Sequence, residues 1–449
     1  MNVRLALAAT ALAGVPGLAG CAPGSTAPKF NLALDAAHPT AVIATASAIA
    51  DVSCEAGWTA TVGAESFSGV AQTVIGADGI QTATILGLPV NAAVSVVAES
   101  GAEEVAPSSA TAITTTTPDG VPHLDPLFDP LLDSPALDEG YILTSAIALP
   151  DGAAMSMSTV SGDLVWWEPI PTNQIVSHAH YDAVNHLVYA VETALNGTDT
   201  EFVRAGMSGP TERWPAPFAH HDSLDLGDGK YLLTVSDERP IDGDTIEGDD
   251  LVVLDTSDGS LTSVWSAFDH LTVRENEGWN VRSPDGAADW THFNGLNRDP
   301  DTGLIYVSLY YEHAILEIDP TTWTMDWILG GNDSNFAVSP SFGPQHSPIR
   351  VGGSLYMFDN DSDVAAGSRL AEYTIDATAM TATQSWSWQP ETAPYNVVLG
   401  SIDLADDAKL ASWGDTGEVR ILDTNDTVVG YYDLEDELQI GYTSFVAGF

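Results

Sequence analysis

Apolar and polar residues alternate in short runs along almost the whole chain. Residues 304–308 (Leu-Ile-Tyr-Val-Ser) and 355–359 (Leu-Tyr-Met-Phe-Asp) are examples, and turn-forming residues separate such runs. This period of two is typical of strands with one buried face, and no segment has convincing helical periodicity. The pattern predicts an all-β protein.

From Tyr141 onward, aromatic residues end apolar strands at intervals of 44 to 62 residues. These residues are Trp167, Trp214, Trp265, Trp327, Trp388 and Tyr432. The interval is the size of one four-stranded propeller blade with loops of variable length. Six such units fill residues 141–449, so we predict a six-bladed β-propeller domain there, with seven blades as the main alternative.

The residues before Tyr141 have a different pattern. Residues 29–117 contain shorter alternating runs and turns, as expected of a small β-sandwich of immunoglobulin size. Residues 83–98 resemble the strand-turn-strand signature of fibronectin type III domains. Residues 118–140 mix Pro and Asp with a few Leu and are expected to form a linker, in which His123 is interpreted as a surface histidine.

The N-terminus has the shape of a secretory signal, with Arg4 followed by an Ala/Leu-rich run. It ends in Leu-Ala-Gly-Cys21, which resembles a bacterial lipobox. We therefore expect residues 1–20 to be a lipoprotein signal peptide, Cys21 to be acylated and residues 21–28 to form a tether. The protein is then exported and lipid-anchored in the bacterial cell envelope, facing the periplasm or the cell surface. Cys54 is left without a disulfide partner and is expected to be a small buried residue.

The charge excludes one class of partner. Asp and Glu total 63 against 13 Lys and Arg, a formal net charge of −50, so the protein repels nucleic acid and anionic lipid. Membrane contact is expected only through the lipid anchor. Residues 118–449 contain only eleven Lys and Arg, so an anionic ligand needs a specialised local site.

Histidines recur at one place in successive repeats, several residues before a turn and the next strand. They are His178 and His180, His220 and His221, His292, and His346, while the fifth repeat has Ser401. The innermost strands of a propeller line its central channel, so these imidazoles are expected to converge. Clustered imidazoles can bind a metal, donate to an oxyanion, exchange protons or attack as nucleophiles.

Metal and cofactor sites are not expected from local motifs. The histidine spacing matches no such motif, although a metal assembled from separate repeats stays open. The acidic loop 359–363 resembles half of a calcium loop but lacks the glycine and distal glutamate of an EF-hand. We predict no cofactor, with bound calcium as the alternative to a plain acidic turn.

Several motifs together resemble successive motifs of the bacterial PAPS-independent arylsulfotransferase family. They are His220-His221-Asp222, residues 289–294 (Asp-Trp-Thr-His-Phe-Asn), the strand of Ser308, residues 318–319 and 327–331, Gln345-His346, residues 358–360 and residues 368–376. The likeness spans residues 141–449. It implies a six-bladed propeller behind a β-sandwich, acting outside the cytoplasm, that moves a sulfuryl group from a small phenolic sulfate ester to a phenol.

The resemblance also implies roles for single residues. His346 matches the histidine that takes the sulfuryl group as a sulfohistidine, while His292, Asn294 and one of His220 and His221 match residues that hold sulfate oxygens. His221 is our choice for protonating the departing phenolate. The predicted substrate-binding residues are His178, His180, Tyr310 and Arg369, with a structural ion pair to Glu372 or a nearby Asp as the alternative for Arg369.

Tyr310 departs from the family pattern, because family members usually have an arginine at this position. A tyrosine donates one hydrogen bond and brings no charge. Sulfate binding is therefore expected to be weaker or differently arranged. A second hypothesis follows, in which the chain is a non-catalytic propeller that binds an anionic or aromatic ligand in the same funnel.

Overall fold

The computed structural model describes residues 30–47, 55–62, 65–99, 111–115, 121, 124–126, 140–148, 153–283, 286–360, 367–392, 394–405, 407–434 and 438–447. The predicted signal peptide, tether and acylated Cys21 lie outside the described residues. So do Cys54, His123, most of the predicted linker and residues 361–363 of the acidic loop.

The N-terminal part consists of two four-stranded sheets. Its strands are β1 (Asn31–Leu34), β2 (Val42–Ser47), β3 (Glu55–Val62), β4 (Glu65–Ala71), β5 (Val74–Ile75), β6 (Ile80–Ile85), β7 (Ala93–Glu99) and β8 (Thr111–Thr114). Their orders are β1-β2-β6-β5 and β4-β3-β7-β8. Val42 and Ile85 from the first sheet share one buried core with Trp58 and Val94 from the second, because alternate residues of each strand point inward.

The rest of the described chain is also built of strands, joined by turns and loops with almost no helix. It contains β9 (Leu124–Pro126), β10 (Tyr141–Ile147), β11 (Ala153–Thr159), β12 (Leu164–Ile170), β13 (Gln174–Ile175), β14 (Ala179–Asp182), β15 (Leu187–Ala194), β16 (Glu201–Gly206), β17 (Glu212–Pro215), β18 (Ala219–Gly227), β19 (Lys230–Ile241), β20 (Asp244–Asp255), β21 (Ser260–Ser266), β22 (Ala288–Asp289), β23 (Phe293–Arg298), β24 (Ile305–Leu309), β25 (Ala314–Asp319), β26 (Thr324–Gly330), β27 (Ala337–Ser339), β28 (Gln345–Val351), β29 (Ser354–Asp359), β30 (Arg369–Asp376), β31 (Thr381–Trp388), β32 (Ser401–Ala405), β33 (Ala408–Trp413), β34 (Glu418–Asp423), β35 (Val428–Leu434), β36 (Gln439–Ile440) and β37 (Ser444–Val446).

Within the described residues, helix is found in two short pieces between β21 and β22. They are the α-helix α1 (Ala267–His270) and a 3-10 helix (Glu277–Asn280). The prediction of an all-β protein is therefore confirmed. Within the described ranges, no helix has the length and apolar character needed to cross a bilayer.

These strands form six sheets that follow one another along the chain. Sheet I is β12-β11-β10 with β36 and β37 on β10, sheet II is β13-β15-β16-β17 with β14 on β15, and sheet III is β18-β19-β20-β21 with β22 on β20. Sheet IV is β23-β24-β25-β26, sheet V is β27-β31-β30-β29-β28, and sheet VI is β32-β33-β34-β35-β9. The C-terminal strands thus join the first sheet, and β9, from the predicted linker, adds an outer strand to the last.

Three apolar strands end in Asp-Thr or Asp-Pro, at Asp255, Asp319 and Asp423, and each pair opens a turn that links two strands within a sheet. Asp255, Asp319 and Asp423 each accept a hydrogen bond through Oδ1 from the backbone N–H two residues later, at 3.0, 2.8 and 2.8 Å. An aspartate that bonds to its own backbone in this way stabilises a tight turn. The common turn explains why the sequence motif recurs with the sheet.

One strand in each of sheets III, IV and V has a local irregularity that positions a histidine. Their pairing register shifts after His220 in β18, after Phe293 in β23 and after His346 in β28. His221, His292 and Ser347 have positive φ angles of 55°, 54° and 52° at these places. Such a bulge bends the strand and redirects its side chains. β18 contacts β23, and β23 contacts β28, so the three irregularities lie side by side.

Candidate active site

The three strands bring histidines from separate sheets into one row of rings. The ring centroids of His221 and His292 are 4.6 Å apart, and Tyr310 lies 5.7 Å from His292 and 5.2 Å from His346. Residues more than fifty positions apart in sequence therefore meet. His221, His292 and His346 therefore converge as the repeat pattern predicts, whereas His178 and His180 lie on Asp222.

A side-chain hydrogen bond of His346 decides which of its ring nitrogens carries the proton. Its Nδ1 lies 2.7 Å from Oδ1 of Asn360. The Asn360 amide group is oriented by its Nδ2, which donates to the carbonyl oxygens of Asn396 and Leu399 at 2.8 and 3.1 Å. Because Oδ1 can only accept, His346 Nδ1 must donate, and the lone pair of the neutral ring is on Nε2.

His346 is also kept uncharged. Its side chain is buried, and burial lowers the pKa of His346 to about 3, with a smaller lowering from the nearby charge of His292. The hydrogen bond to Asn360 opposes this shift without cancelling it. At neutral pH the ring is an unprotonated imidazole, which is the form that can attack an electrophile.

His292 has the opposite electrostatic setting. Burial alone would lower its pKa, but the Asp289 carboxylate and its hydrogen bond, together with Asp249 and Glu247, outweigh burial and raise the pKa of His292 to about 9. His292 Nδ1 lies 2.6 Å from Asp289 Oδ2. The ring is therefore a cation at neutral pH, and after the Asp289 contact its Nε2–H is the remaining donor.

His220 and His221 form a chain that starts at Asp249. Asp249 Oδ1 lies 2.8 Å from His220 Nε2, and Nδ1 of His220 lies 2.8 Å from Nδ1 of His221. A carboxylate only accepts, so His220 donates from Nε2 to Asp249. One of the two Nδ1 atoms donates to the other, and the tautomer decides which. Burial and the neighbouring histidines hold the pKa of His221 well below its usual value. The role predicted for His221, protonating the departing phenolate, stays a prediction.

Asn294 is buried beside the nucleophile candidate, and it contacts the backbone there. Its Nδ2 donates to the carbonyl oxygen of Gln345 at 2.8 Å, and its own carbonyl accepts from Tyr442 Oη at 2.7 Å. Tyr442 Oη also accepts from the Ser347 N–H at 3.1 Å. These bonds fix the backbone on both sides of His346. One N–H of the Asn294 amide is used in this way, which leaves the other for a ligand.

Two predicted substrate-binding residues have other partners. The Tyr310 hydroxyl donates to the carbonyl oxygen of Val397 at 2.6 Å, so its one proton is used within the protein. Arg369 donates from Nε and Nη2 to Asp359 Oδ2, at 2.9 and 2.7 Å, and Asp359 is fully buried. The structural ion-pair alternative for Arg369 is therefore supported, with Asp359 rather than Glu372 as its partner.

His178 and His180 also lie on a carboxylate rather than on the row of rings. His180 Nε2 is 2.7 Å and His178 Nδ1 is 3.1 Å from Oδ1 of Asp222. Asp222 is fully buried, and the two histidines lower its pKa although burial alone would raise it. These histidines are separated from the His346 ring by Tyr442, whose ring centroid is 4.6 Å from His178 and 6.1 Å from His346.

A cavity of about 620 Å³ opens beside His221 and His292. Part of its wall is apolar, formed by Leu195, Phe218 and Val281, whose side chains are 45%, 44% and 44% exposed. Large exposed apolar side chains around a cavity are typical of a ligand site. The size and lining suit an aromatic ring placed against the imidazoles.

Sequence reasoning missed the partners that set the proton positions. Asn360 and Asp289 lie within the motifs 358–360 and 289–294 that resemble the family. Each is near His346 or His292 in the same repeat, and this closeness is the sequence signal that could have identified it as a partner. Asp249 and Tyr442 carry no local signal, because they reach the site from other strands. Ser401, in the fifth repeat, packs its hydroxyl on those of Ser412 and Thr443 at 2.7 and 3.2 Å.

Solved structures that resemble this chain have very different sequences. The periplasmic gluconolactonase PpgL of Pseudomonas aeruginosa is 12% identical, with 69% of this chain and 100% of that chain covered and a TM-score of 0.42. A chain of a nidogen/laminin complex is 10% identical, with coverage of 69% and 100% and a TM-score of 0.46. Apo AztD from Citrobacter koseri is 12% identical, with coverage of 88% and 98% and a TM-score of 0.37.

Among curated proteins, no sequence matches the chain. A family model does match it, over residues 193–428, and is described as Arylsulfotransferase (ASST). The matched residues exceed half of the 449 residues and include His220, His221, His292, Asn294 and His346. The chain therefore belongs to the arylsulfotransferase family, whose members are PAPS-independent sulfotransferase enzymes acting on aryl sulfates.

Proposed function

We propose that this arylsulfotransferase moves a sulfuryl group from a phenolic sulfate ester to a phenol in two displacement steps through His346. One observation carries the proposal. The buried Nδ1 of His346 donates to Asn360 Oδ1 at 2.7 Å, which places the lone pair on Nε2. A neutral imidazole with a fixed tautomer is a competent nucleophile at neutral pH.

In the first step, the lone pair of His346 Nε2 attacks the sulfur of the ester. The new N–S bond forms as the S–O bond to the aryl group breaks, and the electron pair leaves with the phenolate oxygen. The phenolate then takes a proton from the Nε2–H of the His292 cation. The product of this step is a phenol, a sulfohistidine and a neutral His292.

In the second step, a phenol enters and gives its hydroxyl proton to His292 Nε2. Its oxygen attacks the sulfur, the N–S bond breaks and the electron pair returns to His346 Nε2. A single group that is an acid in one step and a base in the next restores the starting state. The pKa of His292, raised to about 9 beside Asp289, is near that of a phenol, which suits transfer in both directions.

The same cation replaces the charge that the family arginine would bring. Charge on the sulfuryl oxygens needs fixed donors in a site shielded from water. The His292 Nε2–H and the second amide N–H of Asn294 are the donors we assign, since Tyr310 uses its proton on Val397. The aryl group is expected to lie in the cavity against Phe218, Leu195 and Val281.

The scaffold we propose is a six-bladed propeller behind a β-sandwich. Six consecutive sheets, with the C-terminal strands β36 and β37 on β10, support closure of the ring between its last and first blades. The shared core of the two N-terminal sheets supports the sandwich. Limited proteolysis tests the ring. A closed ring should release residues 141–449 as one fragment, and release only as smaller fragments would contradict it.

We further propose that the enzyme is lipid-anchored in the bacterial envelope through Cys21, because residues 18–21 resemble a lipobox. The protein should fractionate with membranes, and Cys21→Ser should release it or block its processing. Unchanged membrane association of a correctly processed Cys21→Ser protein contradicts the anchor.

Initial rates with 4-nitrophenyl sulfate and a phenol test the transfer. Two displacement steps predict that the double-reciprocal lines at several phenol concentrations are parallel, and that His346→Asn has no turnover. Intersecting lines would indicate direct transfer within a ternary complex. Tight binding of the sulfate ester without any turnover would favour the ligand-binding alternative.

A further inference from the structure

We propose that His178, His180 and Asp222 bind a divalent transition-metal ion, with Zn²⁺ as the representative ion. His180 is in β14 of sheet II, with His178 just before that strand, and Asp222 is in β18 of sheet III. One nitrogen from each histidine and one oxygen of Asp222 lie within 4.8 Å of one another. Two imidazoles and one carboxylate are a common ligand set for such ions.

The carboxylate is fixed before any ion binds. Asp222 Oδ1 accepts from the Ser223 N–H at 2.7 Å, and Oδ2 accepts from the Leu296 N–H at 2.7 Å. Leu296 is in β23 of sheet IV, so Asp222 connects sheets III and IV. Ligating carboxylates in metal sites are usually held by hydrogen bonds of this kind.

Hydrogen bonding alone leaves the cluster unsatisfied. Oδ1 of Asp222 has two lone pairs, and the Ser223 N–H uses one of them. One nitrogen from each histidine approaches the remaining lone pair. His180 Nε2 makes a hydrogen bond to Oδ1 at 2.7 Å, while His178 Nδ1 lies 3.1 Å away without hydrogen-bond geometry. Within the described residues, the buried Nδ1 of His178 makes no hydrogen bond. A buried polar atom without a partner is costly, and a metal ion would satisfy it.

An ion fits with a small adjustment. Bonds of about 2.0–2.2 Å from a tetrahedral ion put neighbouring ligand atoms about 3.3 Å apart. The His178 to Asp222 distance of 3.1 Å is close to this value, while the His180 to Asp222 distance of 2.7 Å must open slightly. The ring centroids of His178 and His180 are 3.7 Å apart, and one nitrogen of each ring lies within 3.1 Å of Asp222 Oδ1.

This site is distinct from the proposed transfer site. Tyr442 separates it from His346, and the metal would connect sheets II and III beside the Asp222 link to sheet IV. Its expected effect is to stabilise the funnel wall. It would also place a positive charge beside the buried Asp222 carboxylate in a chain that has few cations.

Cobalt uptake by the full, tag-free chain tests the proposal. The protein is stripped with a chelator and titrated with Co²⁺ in excess Ca²⁺, which occupies exterior carboxylates but competes poorly for imidazole nitrogen. We expect one Co²⁺ per chain, visible absorption bands typical of low coordination, and displacement by Zn²⁺. No visible bands, or uptake unchanged by Zn²⁺, would overturn the proposal.

Variants assign the site. His178→Gln and His180→Gln should each weaken Co²⁺ binding by more than the roughly 10–100-fold that loss of an outer hydrogen-bond partner costs. His270→Gln, which changes an exposed histidine in α1, is the matched control and should bind normally. Equal binding by His180→Gln and the unchanged protein contradicts the proposal.

A second measurement does not depend on how the variants fold. A ligand that binds only the folded state raises the melting temperature. Zn²⁺ in excess Ca²⁺ should therefore raise the melting temperature of the stripped, unchanged chain. No rise at a Zn²⁺ concentration that saturates the Co²⁺ site would show that the ion does not bind the folded cluster.

Discussion

Asn360 Oδ1 lies 2.7 Å from Nδ1 of His346, and the Asn360 amide cannot rotate without losing its bonds to the carbonyl oxygens of Asn396 and Leu399. The contact thus fixes the tautomer and the direction of the ring. Asn360 is itself fully buried beside a buried histidine. His346 is at the start of β28, and Asn360 directly follows the end of β29, which pairs with β28 in sheet V. The contact between them is therefore set by the pairing of two neighbouring strands.

Asn360→Ala should slow the first displacement step. Without the acceptor at Nδ1, the proton can move to Nε2, and the ring can rotate. A loss of about 1.4 kcal/mol of positioning corresponds to about a tenfold lower kcat, with a smaller change in KM. Single-turnover release of 4-nitrophenolate measures it. Asn335→Ala, in a turn away from the row of rings, should keep full kcat, and an unchanged kcat in Asn360→Ala would remove Asn360 from its positioning role.

Transfer should fail at both ends of the pH range. His346 is active when neutral, so activity is lost as pH falls through its pKa of about 3, provided that the fold survives. His292 is active when protonated, and its pKa of about 9 is raised, so its contribution is present at neutral pH and is lost as pH rises through 9. The profile of kcat/KM against pH checks this.

Asp289→Asn tests the cause of the loss of kcat/KM at high pH, the upper limb of the pH profile. Removing the carboxylate removes the main attraction that raises the pKa of His292, so the upper limb should move to lower pH. His292→Gln should lower kcat by about 10²–10³, the usual effect of losing one oxyanion donor. An upper limb that stays near pH 9 in Asp289→Asn would assign that limb to another group.

Tyr310→Arg should strengthen binding of a sulfate ester. It brings a charged donor between His292 and His346, where a charge-assisted hydrogen bond is worth about 1.5–3 kcal/mol, or tenfold or more in affinity. Tyr310→Phe is the control and should bring no gain, because the tyrosine proton is used on Val397. Equilibrium binding of 4-nitrophenyl sulfate to the His346→Asn background measures both. Weaker binding by the arginine variant would mean that Tyr310 is adapted to the present ligand.

Arg369→Gln should reduce stability rather than substrate binding. It leaves the fully buried Asp359 carboxylate without its cation, and breaking a buried pair costs about 3–5 kcal/mol. Arg274→Gln breaks an exposed pair with Asp333 and should change stability far less, because solvent screens exposed charges. Urea unfolding compares the two. A raised KM with unchanged stability in Arg369→Gln would restore the substrate-binding role.

The all-β class was predictable because alternation and turn residues act locally. Asp255, Asp319 and Asp423 each form their own turn, so a short segment contains the whole signal. The convergence of His221, His292 and His346 was predictable because equivalent positions in a repeat face the same way. A repeated sequence therefore carries some long-range information.

The proton positions were not predictable, because they depend on contacts between distant segments. His220 bonds Asp249 from another strand of sheet III, Tyr310 donates to Val397, and Tyr442 reaches Asn294 from the segment between β36 and β37. Arg369 had two plausible carboxylate neighbours in sequence, and only the pairing of β29 with β30 selects Asp359. Which histidine is charged depends on these same contacts.

The central claim is that the sulfuryl group is carried covalently by His346, and an intact-mass spectrum tests it most directly. The protein is mixed with 4-nitrophenyl sulfate without acceptor and measured at once. We predict an increase equal to one sulfuryl group, mapped by peptide analysis to His346, removed by added phenol and absent in His346→Asn. No adduct under conditions of measurable transfer, or an adduct on another residue, would contradict the account.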